Sequence, residues 1–185
     1  MIRAGVLVLA FALTATPAFA AHWTVDRAKS RLGFRVDWDG APFDATFKSW
    51  NADIDFDPDD LATSHVTVKI DMASVTSAVP EHDSDMKTEM GFDPAKFPVA
   101  TFAVTKFLKM GPLYLAEGTL SLRGVTKPIG LPFALSISGK TAHMTGSAQI
   151  ARAAFGVGTT EGAEDVNVSA DAFVSVDLTA TAAPR

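Results

Sequence analysis

Residues 118–133 read GTLSLRGVTKPIGLPF, and their alternation decides the fold class. Leu120 and Leu122 alternate with Thr119, Ser121 and Arg123, the two-residue period of a half-buried strand. Gly124 and Pro128 bracket a turn. A second run then sets Ile129, Leu131, Phe133, Leu135 and Ile137 on one face, with Gly130, Pro132, Ala134 and Ser136 on the other. Two alternating runs joined by a short turn predict an antiparallel hairpin.

The same period spreads outward along the chain. Leu32, Phe34, Val36 and Trp38 share a face, as do Phe43, Ala45 and Phe47. After a change of face near Trp50 come Ala52, Ile54 and Phe56, then Val66, Val68, Ile70 and Met72. Further strands read over residues 101–108, 113–123, 128–138, 141–151 and 166–180, separated by turn residues such as Asp39-Gly40 and Ser138-Gly139-Lys140. Between residues 79 and 98 the alternation stops. Met86 and Met90 stand at i, i+4 there, predicting a short helix near residues 83–91 with Asp83 or Ser84 as its cap. A lone helix among so many strands has only the sheet to pack on, so it covers an open face or end. Eight or more antiparallel strands in one domain, residues 21–185, make an all-β barrel or a sandwich, and pattern alone leaves both open.

Residues 1–20 have the layout of a secretory signal peptide. Arg3 supplies the positive start, residues 5–13 an apolar stretch too short to span a bilayer, and Ala18-Phe19-Ala20 a cleavage site. Cleavage after Ala20 and delivery to the periplasm are the expectation. Losing Arg3 takes the formal charge from −5 to −6. An acidic chain lacks the clustered Lys and Arg that nucleic acid requires. Cysteine is absent, which removes disulfides, thiol catalysis and thiolate metal sites together. No G-x-S-x-G elbow occurs, and the acidic residues 161–165 lack the alternating oxygen ligands of an EF-hand loop. His82, Asp83 and Asp85 match no defined metal spacing, and His22 has no assigned second ligand. The expectation is a protein without catalytic residues and without a metal.

The wording of the opening stretch also resembles the "GxLTxxGVTxPv" signature of the YceI-like family of periplasmic lipid-binding proteins. His22-Trp23-Thr24-Val25-Asp26 with Ser30, Leu32 and Phe34 is similar to that family's opening, "WxhDxxHSxhxF". Asp71, Ser74, Val75 and Thr76 resemble "hDxxSIxT", residues 92–102 resemble "FDxxxFPxaxF", and residues 150–158, IARAAFGVG, resemble "hxRxxFGhG". Residues 40–61 are closest to a branch associated with membrane b-type cytochromes. The resemblance implies an eight-stranded, antiparallel, lipocalin-like barrel with a short helical insertion. Its apolar tunnel would hold a polyisoprenoid lipid, either a polyprenyl pyrophosphate or a long-chain quinone, with no other cofactor. The chain departs from the family at Trp38, where many members have His, at Ala153-Ala154 in place of Ser-Asp, and at Glu81-His82-Asp83, where an Arg-Asp pair is common.

For such a tunnel the candidate apolar lining is Phe34, Trp38, Phe47, Phe102, Leu120, Leu122, Phe133, Leu135 and Phe155, with Met86 and Met90 at the entrance, where a flexible thioether chain adapts to its guest. His82, Asp83 and Arg152 are the candidates for a polar head, although an Arg flanked by strand residues commonly faces solvent. Expected partners are the isoprenoid lipid or quinone, with a membrane b-type cytochrome or a second copy of the chain in a homodimer as further candidates. Docking on the cytochrome is the alternative function.

Overall fold

The described chain runs β1 (Ala21–Val25), β2 (Arg31–Trp38), β3 (Ala41–Phe47), β4 (Trp50–Phe56), β5 (His65–Asp71) and β6 (Val75–Thr76), then a short helix, α1 (Pro80–Asp85). After it come β7 (Val99–Met110), β8 (Leu113–Leu122), β9 (Val125–Ser138), β10 (Thr141–Ala151), β11 (Thr159–Thr160), β12 (Ala163–Glu164) and β13 (Asp171–Ala182). These elements come from a computed structural model that describes residues 20–77, 79–160, 163–164 and 167–183. The expected leader and most of the acidic 161–165 segment lie outside the described residues.

Eleven strands form one antiparallel sheet that closes into a barrel, because β13 pairs with β10 along one edge and with both β2 and β1 along the other. The first three staves are each built from two strands. β1 and β2 are broken by a 3-10 turn at Arg27–Lys29, and β5 and β6 by another at Met72–Ser74. Both breaks use one device: Asp26 and Asp71 each accept a hydrogen bond from the N–H two residues on, at 3.1 and 3.0 Å. β3 and β4 are offset between them by two residues, since Gly33 faces Thr46 whereas Ala21 faces Phe56. The face change expected near Trp50 falls at the break between them, where Lys48 and Ser49 separate Phe47 from Trp50 and both rings point inward. Counting β1–β2, β3–β4 and β5–β6 as one stave each gives eight.

The opening stretch forms the adjoining staves β8 and β9, and their turn is tighter than Gly124 and Pro128 suggested. Leu122 pairs with Val125, so only Arg123 and Gly124 turn, both at positive φ (51° and 76°). That is the conformation a two-residue hairpin requires. Pro128 lies inside β9 instead. It is tolerated because β9 has no partner but β8 until Phe133, leaving one edge of Pro128 without a ladder to disrupt.

Two other boundaries differ from the sequence pattern. The helix starts at Pro80 and ends at Asp85, ahead of the Met86–Met90 pair, because Pro80 pre-sets the first helical φ and Val79 sits extended before it. The last strand begins at Asp171 rather than near 166. Val168 makes only an isolated bridge to Trp38, and the carbonyls of Val168 and Ser169 are taken by Arg152 instead of a ladder.

The two ends of the barrel are built differently. At one end two-residue turns join β7 to β8 and β9 to β10, residues 57–64 join β4 to β5, and rings from β4, β7, β8 and β9 meet. Phe56 packs on Phe107 at 5.1 Å and on Tyr114 at 5.9 Å, while Tyr114 stacks on Phe133 at 5.3 Å. At the other end lie the two long connections, residues 77–98 and 152–170, and with them α1.

Candidate functional site

Between those ends the inward faces enclose a cavity of about 680 Å³, within the ~300–1,000 Å³ range of small-molecule sites. It exists because large and small side chains alternate over the wall. Phe102, Leu120 and Leu131 stand beside Ala100, Ala116, Ala148 and Ala172, all of them lining residues. Among the described lining residues, those with charged or hydroxyl side chains are Asp85, Thr88, Glu89 and Arg152. Asp85 closes α1, Thr88 and Glu89 lie on the turn after it, and Arg152 opens the second long connection. The polar part of the wall is therefore confined to one end, the mouth.

Ten of the eleven apolar residues singled out in the sequence line this cavity: Phe34, Trp38 and Phe47 from β2 and β3, Met86 and Met90 from the insertion, Phe102 from β7, and Leu120, Leu122, Phe133 and Leu135 from the hairpin. Met86 is buried, whereas Met90 is 44% exposed, so the methionine pair reaches from the interior to solvent. Phe155 stands apart. It is 2% exposed and packs with Leu120 and Ile150 behind the wall, where the 3-10 turn Arg152–Phe155 carries it.

The three polar candidates do three different things. The Asp83 carboxylate accepts from the Thr76 hydroxyl at 2.6 Å and from the Ser77 N–H and hydroxyl at 2.5 and 2.7 Å, fastening α1 to the end of β6. The Thr76 hydroxyl bond is the largest cause holding the Asp83 carboxyl below its ordinary value, followed by the two bonds from Ser77. His82 stacks on Trp38 at 4.6 Å and meets the edge of Phe43 at 5.0 Å. Its buried Nδ1 has no hydrogen-bond partner among the described residues. Trp38, a departure from the family, is thus the platform on which the helix rests.

Arg152 does not face solvent as a strand-flanking Arg commonly does; it is 5% exposed. Nε donates to the Ser169 carbonyl at 2.8 Å and Nη2 to Val168 at 2.8 Å, while Nη1 donates to Val157 and Gly158 at 3.0 and 2.9 Å. The guanidinium ties together the start and the end of the second long connection. Arg123 plays a similar part for the first, its Nη1 donating to the carbonyls of Glu89, Met90 and Gly91.

Asp85, which stands with His82 and Asp83 in the polar group of the insertion, lines the mouth, whereas sequence reasoning passed over Thr88 and Glu89. A signal for Glu89 was available, since Met86, Glu89 and Met90 follow the i, i+3, i+4 spacing of one helical face. On the outer surface the antiparallel register of β1 and β4 brings together residues that are remote in sequence. His22 Nδ1 lies 2.9 Å from Asp55 and 3.9 Å from Asp53. All three side chains are well exposed, as in an ordinary surface ion pair.

Comparison with known proteins agrees with this architecture. The YceI-like domain model matches residues 23–180. A UPF0312 protein of Photorhabdus laumondii is 34% identical over 134 residues, covering 71% of this chain and 70% of its own. The crystal structure of Burkholderia cenocepacia BcnA superposes with a TM-score of 0.81 at 28% identity, over 85% of this chain and all of that one. A domain from Saccharophagus degradans described as polyisoprenoid binding shares the fold at a TM-score of 0.69 and 19% identity, over 88% of this chain and 99% of that one. The chain belongs to the YceI-like family.

Proposed function

We propose that this YceI-like barrel is a periplasmic carrier or sequestering protein for a polyisoprenoid lipid, whose tail lies in the cavity and whose head stays at the mouth. The single observation that carries the reading is the distribution of the wall. An apolar cavity of about 680 Å³ has the charged and hydroxyl side chains of its described lining at one end, matching an amphiphile by polarity and orientation together.

Physical magnitudes favour the tail as the source of affinity. Each buried methylene contributes ~0.8 kcal/mol, against ~1 kcal/mol net for an ordinary hydrogen bond. A few isoprene units therefore outweigh any one polar contact, and binding needs no reactive group. The YceI-like family, the likeness in fold to a polyisoprenoid-binding domain and the leader-like residues 1–20 support the same reading. Delivery to the periplasm with cleavage after Ala20 is part of the proposal.

Organic extraction of protein purified from its native compartment tests it. Mass spectrometry of the extract is expected to find a prenyl-chain lipid near one per barrel. Extracts that stay empty, together with no uptake of added prenyl lipids, overturn the proposal.

A further inference from the structure

The charge and hydrogen-bonding capacity of the mouth narrow the head group, an inference that rests on the lipid-binding reading above. Asp85 and Glu89 line the cavity there and are exposed. Carboxylates accept hydrogen bonds and do not donate them. Thr88, between them, donates its hydroxyl to the Asp85 carbonyl at 2.7 Å.

The cations nearby are differently placed. Arg152 lines the cavity, yet its Nε, Nη1 and Nη2 already donate to four backbone carbonyls. Arg123 directs Nη1 at the carbonyls of Glu89, Met90 and Gly91 and is not a lining residue. Lys87, on the same turn, is exposed and is not a lining residue either. The described mouth therefore offers acceptors and negative charge. A diphosphate head needs donors and positive charge, so it meets the wrong complement on both counts. A hydroxyl finds acceptors to donate to.

We propose that the mouth selects amphiphiles whose head is uncharged and donates hydrogen bonds, prenol-like lipids, over prenyl diphosphates of the same tail. The selection comes from repulsion as much as attraction, as discrimination between similar ligands commonly does. Because Asp85 and Glu89 are exposed, salt weakens it.

Equilibrium binding of geranylgeraniol and geranylgeranyl diphosphate to the purified protein at low salt tests this, since the two probes differ only in the head. The alcohol is expected to bind about ten-fold or more tightly than the diphosphate, the effect of one or two like charges at a surface site. Substituting Asp85→Asn and Glu89→Gln together is expected to tighten diphosphate binding and shrink the gap several-fold. Both positions are exposed, and an unchanged thermal transition checks the fold. Diphosphate binding as tight as the alcohol in the native protein, or a gap that the double variant leaves untouched, overturns the selectivity while leaving lipid binding in place. Failure of both probes to bind overturns lipid binding itself.

Discussion

The two ends of the barrel bury aromatic rings with opposite consequences. At the floor, Phe56, Phe107, Tyr114 and Phe133 come from four staves, and each ring is carried by a strand paired on both sides. At the mouth, Trp38, Phe43 and His82 also cluster, but His82 belongs to a six-residue helix. That helix is held by the Asp83 carboxylate and by His82 against Trp38 and Phe43, while Val79 and Met90 beside it stay 41% and 44% exposed. Rings on paired strands close an end and leave little freedom. Rings on a short insertion cover an end without a strand ladder on the insertion to hold it. The difference teaches that this fold separates stability from access by where its long connections fall.

The largest expected effect is at the floor. Phe133→Ala removes a ring that contacts Phe56, Phe107 and Tyr114 and should lower stability by about 3–5 kcal/mol, read as a shifted midpoint in urea unfolding. A loss under ~1 kcal/mol would make the two ends equivalent and break the comparison. Next is Arg152→Met, which keeps the apolar stem but strands four buried carbonyl bonds. About 2–4 kcal/mol is expected, from the range for hydrogen bonds to charged groups and the cost of unsatisfied acceptors. Amide exchange should rise in residues 152–158 and 167–170 in that variant and stay unchanged at the floor.

Smaller effects belong to the mouth. His82→Ala deletes the stack on Trp38 and should cost about 0.5–1.5 kcal/mol, while measurably speeding the release of a bound prenyl lipid in a stopped-flow transfer assay. Smallest in global stability is the Asp83 contribution, which acid removes. Its carboxyl is depressed when folded, so the stabilisation is complete above the unfolded value of about 3.9 and is lost as pH falls through the folded value. Acidification below about pH 4 should therefore raise amide exchange in residues 80–92 ahead of the floor. Asp83→Asn should show fast exchange there at neutral pH and no further acid step.

Legibility followed the same division. Period-two patterning revealed the staves, including residues 118–133, because each strand buries one face and local sequence carries that fact. The inward set Ile129, Leu131, Phe133, Leu135 and Ile137 lines the cavity. Barrel closure was less legible, since β13 reaches β1 and β2 from across the whole chain, and it was the family resemblance that implied it. The mouth was hardest. Arg152 turns inward only because carbonyls from residues 157–158 and 168–169 converge on it, a long-range arrangement no local period encodes. Phe155 follows it behind the wall. The helix starts at Pro80, whose ring pre-sets the first helical φ, ahead of the Asp83 or Ser84 cap that the Met86–Met90 spacing predicts.

Native mass spectrometry of the intact protein, beside a variant with Ala148→Trp on the cavity wall, bears most directly on the claim that the cavity holds an amphiphile. The account predicts one adduct with the mass of a prenyl-chain lipid on the native protein and none on the filled variant. An adduct retained in full by the filled variant, or a native protein that stays bare in the presence of added prenol, contradicts it.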